Sequence, residues 1–174
     1  MFLLDFLFGK SESNDAQVQV NVDAQAKQGA CAPGTGIHHD PDLVEAFKED
    51  HRLLLEIFGA IDAARRAGDL LTAQTRLEQF RMVLQDHLLK ENVRLYVYLE
   101  HQLANDPSSH ELMRGFRHEM DAIGKVVVGF LGKYKQIGIH PELATEFSAD
   151  LAAIGQALAG RIKREEETLY PMYR

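Results

Sequence analysis

The chain has 174 residues, 45% apolar and 26% charged, with a formal net charge of −7. That length suits one domain with a sizeable core, and the negative balance argues against a nucleic-acid partner. Cys31 is the sole cysteine, so an intrachain disulfide and a zinc finger are both excluded, in keeping with a reducing, cytoplasmic setting.

The chain opens on MFLLDFLFGK, which is too short for the roughly 20 apolar residues that span a bilayer. It also lacks the basic start and cleavage site of a signal peptide. It reads as a short helix that docks on its own domain or on a protein partner; a membrane-surface tether would want the basic face it lacks. Residues 11–36 are rich in Gln, Ala, Ser, Asn and Gly and read as a flexible linker. The expected division is therefore residues 1–36 as an apolar segment and linker, and residues 37–174 as the folded domain.

Helical signals begin at residue 40. Asp40 is the expected N-cap of a first helix, Pro41 its first residue and Gly68 its stop. A second helix is expected from near Asp69 to about Ala104. Asp106 and Pro107 start a third that Gly138 ends, and Pro141 opens a fourth that Pro171 breaks. Short connections make neighbours antiparallel. The expected fold is all-α, an up-down-up-down four-helix bundle.

At about 100° per residue, inward positions recur in steps of three and four. The first stripe is Val44, Phe47, His51, Leu54, Phe58, Ile61. The second is Leu77, Phe80, Leu84, His87, Glu91, Leu95, Tyr98. The fourth is Phe147, Leu151, Ile154, Leu158, Arg161, Glu165, Leu169. Each is apolar except at one level, where His51, His87, Glu91, Arg161 and Glu165 should converge. Unpartnered polar groups in a core cost several kcal/mol each, so these must meet one another, a metal or water. His87 and Glu91, four apart, can reach a single ion from one helix face. On the third helix the stripe is Met113, Phe116, Met120, Ile123, Val127, Phe130, Tyr134, Ile137. His118 lies about 160° round from Met120 and should face solvent. Glu166 and Glu167 read as solvated charge, and His38, His39, His101, His110 and His140 as surface residues.

EDHRLLLEIF, DHLLKENVRLYVYLE, HEMDAIGKVV and RIKREEETLYPMY resemble, in order, the four helices of the hemerythrin-like HHE cation-binding family, over residues 38–174. The resemblance implies a four-helix bundle around a non-haem di-iron site, in proteins that bind or sense oxygen, handle iron or respond to nitric oxide. Carried over by position, it implies His51, His87, Glu91 and Glu165 as metal ligands. Two positions depart from the pattern: Met120 and Arg161 stand where the family has histidines. A guanidinium has donors only and cannot ligate a metal, but it can neutralise Glu91 and Glu165.

The expectation is thus a partial site holding one ion, iron, rather than two, with zinc or manganese also compatible with the donors. Its role would be in oxygen, redox or nitric-oxide sensing or regulation, with a diatomic ligand. The alternative is a metal-free regulatory or interaction module in which Arg161 replaces the metal's charge. Neither reading is an enzyme: no nucleophile–base constellation or phosphate loop is visible.

Overall fold

The computed structural model describes residues 36–174. The docking helix and linker expected over residues 1–36 lie, apart from Gly36, outside the described residues.

Four long helices carry the domain, as the sequence leads one to expect. Helix α1 is Leu43–Arg66. Helix α2 is Leu70–Lys90; it runs through a π-helical turn, Glu91–Tyr96, into α3, Val97–Gln102. Helix α4 is Pro107–Lys133. Two 3₁₀ turns, Ile137–Ile139 and Pro141–Leu143, lead into α5, Ala144–Arg164, which passes through a second π turn, Glu165–Leu169, into a closing 3₁₀ turn, Tyr170–Met172. Among the described residues no helix is long and apolar enough to cross a membrane.

The local causes are legible. Gly68 takes the left-handed φ of +75° that ends α1 at little steric cost. Asp69 caps α2 by accepting from the Thr72 amide at 2.9 Å. Asp106 caps α4 by accepting from the Ser108 and Ser109 amides, both at 3.2 Å, with Pro107 following it. Helix α1 corrects the expected cap. Residues 41–42 form a turn, and Asp40 closes it by accepting from the Asp42 amide at 3.1 Å, so the helix starts two residues later than expected.

Two apolar clusters fill the interior. One joins Leu54, Ile57, Ile61, Leu77, Phe80, Phe130, Tyr134, Phe147 and Ile154. The other joins Leu43, Phe47, Leu95, Tyr98, Met113, Phe116 and Leu169. Along α1, α2 and α5 the buried polar residues fall between the two clusters. All seven residues of the expected fourth stripe are buried, as are all seven of the second. On α1 the stripe is rotated slightly: Leu43 and Ile57 are buried, and Val44 and Phe58 are half-buried. Helix α4 faces as expected, with His118 exposed and Met120 half-buried against the core.

Candidate metal centre

His51, His87, Glu91, Arg161 and Glu165 are the buried polar residues of the described chain, none more than 4% exposed. They meet at one level of the core. His51, His87 and Glu165 place ligand atoms within 4.8 Å of one another. Glu165 is the hinge of the set. Its Oε2 stands 3.3 Å from His51 Nε2, and its Oε1 accepts from Arg161 Nε at 2.6 Å. Glu91 reaches the set through Tyr170, whose hydroxyl donates to Glu91 Oε1 at 3.5 Å and lies 3.1 Å from His51 Nε2.

The π turns explain why tyrosines are there. Each begins at a carboxylate, Glu91 or Glu165, and each is followed by a tyrosine five residues on. In a regular α-helix that tyrosine would point about 140° away from the carboxylate. The wider i→i+5 turn returns it towards the same face. Tyr96 and Tyr170 are accordingly 3% and 2% exposed. A regular second helix to Ala104 and a regular fourth to Pro171 were expected, and the π turns correct both.

Arg161 is fully engaged. Beside Glu165 it donates to the Tyr96 hydroxyl at 2.7 Å, the Phe116 carbonyl at 3.1 Å and Glu119 Oε2 at 3.2 Å. Its guanidinium carbon lies 5.0 Å from the centre of the Phe116 ring. The expectation that it binds both Glu91 and Glu165 is corrected: Glu119 from α4 is the second carboxylate, because Tyr96 occupies the side towards α2. Removing the Tyr96 hydroxyl by Tyr96→Phe leaves a buried guanidinium N–H without an acceptor. It should cost about 1–3 kcal/mol of stability, read as a lower urea midpoint with an unchanged slope.

Each histidine also has a carboxylate behind it. Glu166 Oε1 sits 2.8 Å from His51 Nδ1, so Glu166 serves the site and is not merely solvated. Asp50 Oδ2 stands 3.5 Å from His87 Nδ1, an atom that is buried and makes no hydrogen bond. Such carboxylate–histidine pairs orient ligand imidazoles in metal sites. The signal for Asp50, Glu119 and Glu166 was slight: each is the chain neighbour of a stripe residue. His39, read as a surface residue, is half-buried and stacks on Tyr173 with ring centres 4.7 Å apart.

The electrostatics divide the two inner glutamates. Burial and the charge of Glu165 push the Glu91 carboxyl well above its usual range, against the pull of Arg161 and Tyr170. Burial also acts on Glu165, but the His51 hydrogen bond and the charges of Arg161, His51 and His87 outweigh it and hold that carboxyl low. For His51, burial disfavours the charged ring, and Glu165 and Glu166 together reverse this and raise its pKa. A proton carried on His51 Nε2 would lie between the imidazole and Glu165, 3.3 Å away.

The donors fit one ion. Two imidazoles and a carboxylate converge from α1, α2 and the residue that follows α5, with Glu166 bound to His51, Asp50 behind His87 and Arg161 bound to Glu165. Arg161, a permanent cation with donors only, adds no ligand to this set.

The family model for the hemerythrin HHE cation-binding domain matches residues 42–173. No curated protein and no solved structure matches the chain. The match spans all four long helices and every residue of the buried polar cluster, and the chain belongs to the hemerythrin HHE cation-binding domain family.

Proposed function

We propose that this domain binds a single iron ion through His51, His87 and Glu165 and serves as a sensor of oxygen, nitric oxide or redox state. The observation that supports it best is the convergence of those three residues' ligand atoms within 4.8 Å in a buried, carboxylate-backed pocket. Two histidines and a carboxylate suit Fe(II) with positions left open. Bound there, iron would supply a coordination position for a diatomic molecule and a change of oxidation state. The chain's own residues do the rest. Glu166 fixes the His51 imidazole, Asp50 stands behind that of His87, Tyr170 orders Glu91 against His51, and Arg161 supplies positive charge beside Glu165.

Iron per chain in protein reconstituted anaerobically tests this. One ion is expected, with affinity about 10–100-fold weaker in Asp50→Asn, the usual loss when the support of a ligand is removed. Two ions in the wild type would sink the single-site reading. No iron at all would favour the metal-free interaction module, for which the saturated hydrogen bonding of Arg161 speaks.

The same geometry fixes a pH dependence. The raised His51 pKa stabilises the metal-free fold fully below the unfolded value of about 6.5, and that stabilisation is lost as pH rises through the folded value. Metal must displace the His51 proton, so its affinity grows as pH rises. The gain in melting temperature on adding iron should therefore be larger at pH 8 than at pH 6, roughly the range over which an unperturbed histidine titrates. An equal gain at both would show that His51 is not a ligand.

A further inference from the structure

Helices α2 and α4 part along their seam and leave a groove of about 450 Å³. Leu77 of α2 and Val128, Leu131 and Gly132 of α4 form its apolar lining. Gln74, Glu78 and Arg81 of α2 stand beside them, as does Lys135 just past the end of α4. Leu77 is buried, Val128 and Leu131 are half-buried, and Gly132 is exposed. A second opening, of about 10 Å³, shares Arg81, Val128 and Leu131 and continues the seam towards Gly124 and Met120. An apolar floor with a charged rim is the anatomy of a surface that receives another stretch of polypeptide. Gly132 keeps the groove open: a Cβ there would meet nothing within 4 Å, so a larger side chain would project into the empty space.

The chain carries a segment that matches this surface. MFLLDFLFGK sets the apolar side chains of Phe2, Leu3, Leu4, Phe6, Leu7 and Phe8 around one acid, Asp5. It lies outside the described residues, and residues 11–35 join it to the domain. The domain is entered beside the π turn that follows α2, where Gly36 and Ile37 share a pocket with Val93 and Arg94. From Val93 back to Leu77 is about 24 Å along the helix, at roughly 1.5 Å per residue. A coil as long as residues 11–35 has a root-mean-square span of roughly 25–30 Å. Tether and distance match, which is the condition that makes effective concentration greatest. A second copy or a separate protein competes poorly against a segment already tethered at that distance. The charges agree as well. Glu78 is bound by Arg81, while Lys135 has no ion pair with another described residue, and Asp5 carries the complementary charge.

We propose that residues 2–8 of this chain dock in the groove between α2 and α4, their apolar side chains on Leu77, Val128 and Leu131 and Asp5 turned to Lys135. The docking stands independently of any metal.

Paramagnetic broadening in the full chain tests it. With a nitroxide attached at residue 11 of a Ser11→Cys, Cys31→Ser chain, the methyl signals of Leu77, Val128 and Leu131 should lose most of their intensity. Those of Leu43 and Met113, in the other apolar cluster, should keep theirs. Adding Gly132→Leu fills the groove and should restore the lost intensity. Gly129→Leu makes the same change on α4 outside the groove, where a Cβ likewise meets nothing within 4 Å, and should restore none. Both variants put a better helix former in place of glycine, so a loss of docking cannot be laid to unfolding. Asp5→Lys should restore part of the intensity. Full intensity at Leu77, Val128 and Leu131 in the nitroxide-bearing chain, or broadening that Gly132→Leu leaves unchanged, would overturn the proposal. So would equal broadening when isotope-labelled chains without nitroxide are mixed with unlabelled chains that carry it, which would seat a second copy in the groove.

Discussion

Replacing Arg161 with alanine should destabilise the metal-free domain by about 3–5 kcal/mol, the usual loss when one partner of a buried ion pair is removed. The size follows from what the side chain holds. Glu165 loses its cation, Glu119 is left with Arg164 alone, and the Tyr96 hydroxyl and the Phe116 carbonyl lose a donor. The Glu165 carboxyl, now kept low in part by Arg161, would be left buried beside Glu91 with only the histidines to offset it. Against the roughly 5–15 kcal/mol that holds a typical domain together, this is a large fraction. Urea unfolding of wild type, Arg161→Ala and Arg161→Lys checks it. Lysine keeps the charge without the fork and should fall between the other two. A loss under about 1 kcal/mol, the range of surface ion pairs, would mean that the guanidinium is not the fastening it looks like.

The second large effect is a gain. Met120→His combined with Arg161→His should convert a site for at most one ion into a site for two. These positions are the two inward departures from the family's ligand pattern, and both line a cavity beside His51 and His87. The double change supplies two imidazoles and removes a cation that repels incoming metal through a poorly screened interior. Arg161→His alone should help less, since α4 would still offer a thioether. The measurement is iron per chain together with the near-ultraviolet and visible absorption of an oxo-bridged pair in the oxidised protein. Should the double variant still hold one ion, Met120 and Arg161 are not stand-ins for ligands.

Much of this was legible before any coordinates. The α5 stripe from Phe147 to Leu169 could be read position by position, because one face of that helix is apolar except for Arg161 and Glu165. His51 and His87 followed in the same way, and so did Met120 inward with His118 outward. One part that was not legible traces to the assumption of a constant 100° per residue. It fails at Glu91 and at Glu165, where a π turn inserts. The sequence did hold a hint: Glu-x-x-x-Leu-Tyr occurs at both places. Asp50, Glu119 and Glu166 were harder, since a stripe argument discards the chain neighbours of inward residues. Their roles depend on which ring nitrogen or guanidinium arm comes close, and only three-dimensional geometry gives that.

The candidate ligands come from α1, α2 and the end of α5, while α4 is tied to the centre by Arg161 through Glu119 and the Phe116 carbonyl. A guanidinium needs no delivery, no chelation equilibrium and no particular oxidation state. Helix α4 is therefore fastened to the centre whatever the supply of iron. A metal bound at His51, His87 and Glu165 would thus come to a finished receptor rather than act as the rivet that closes it, and its occupancy could rise and fall with availability while the domain stays folded.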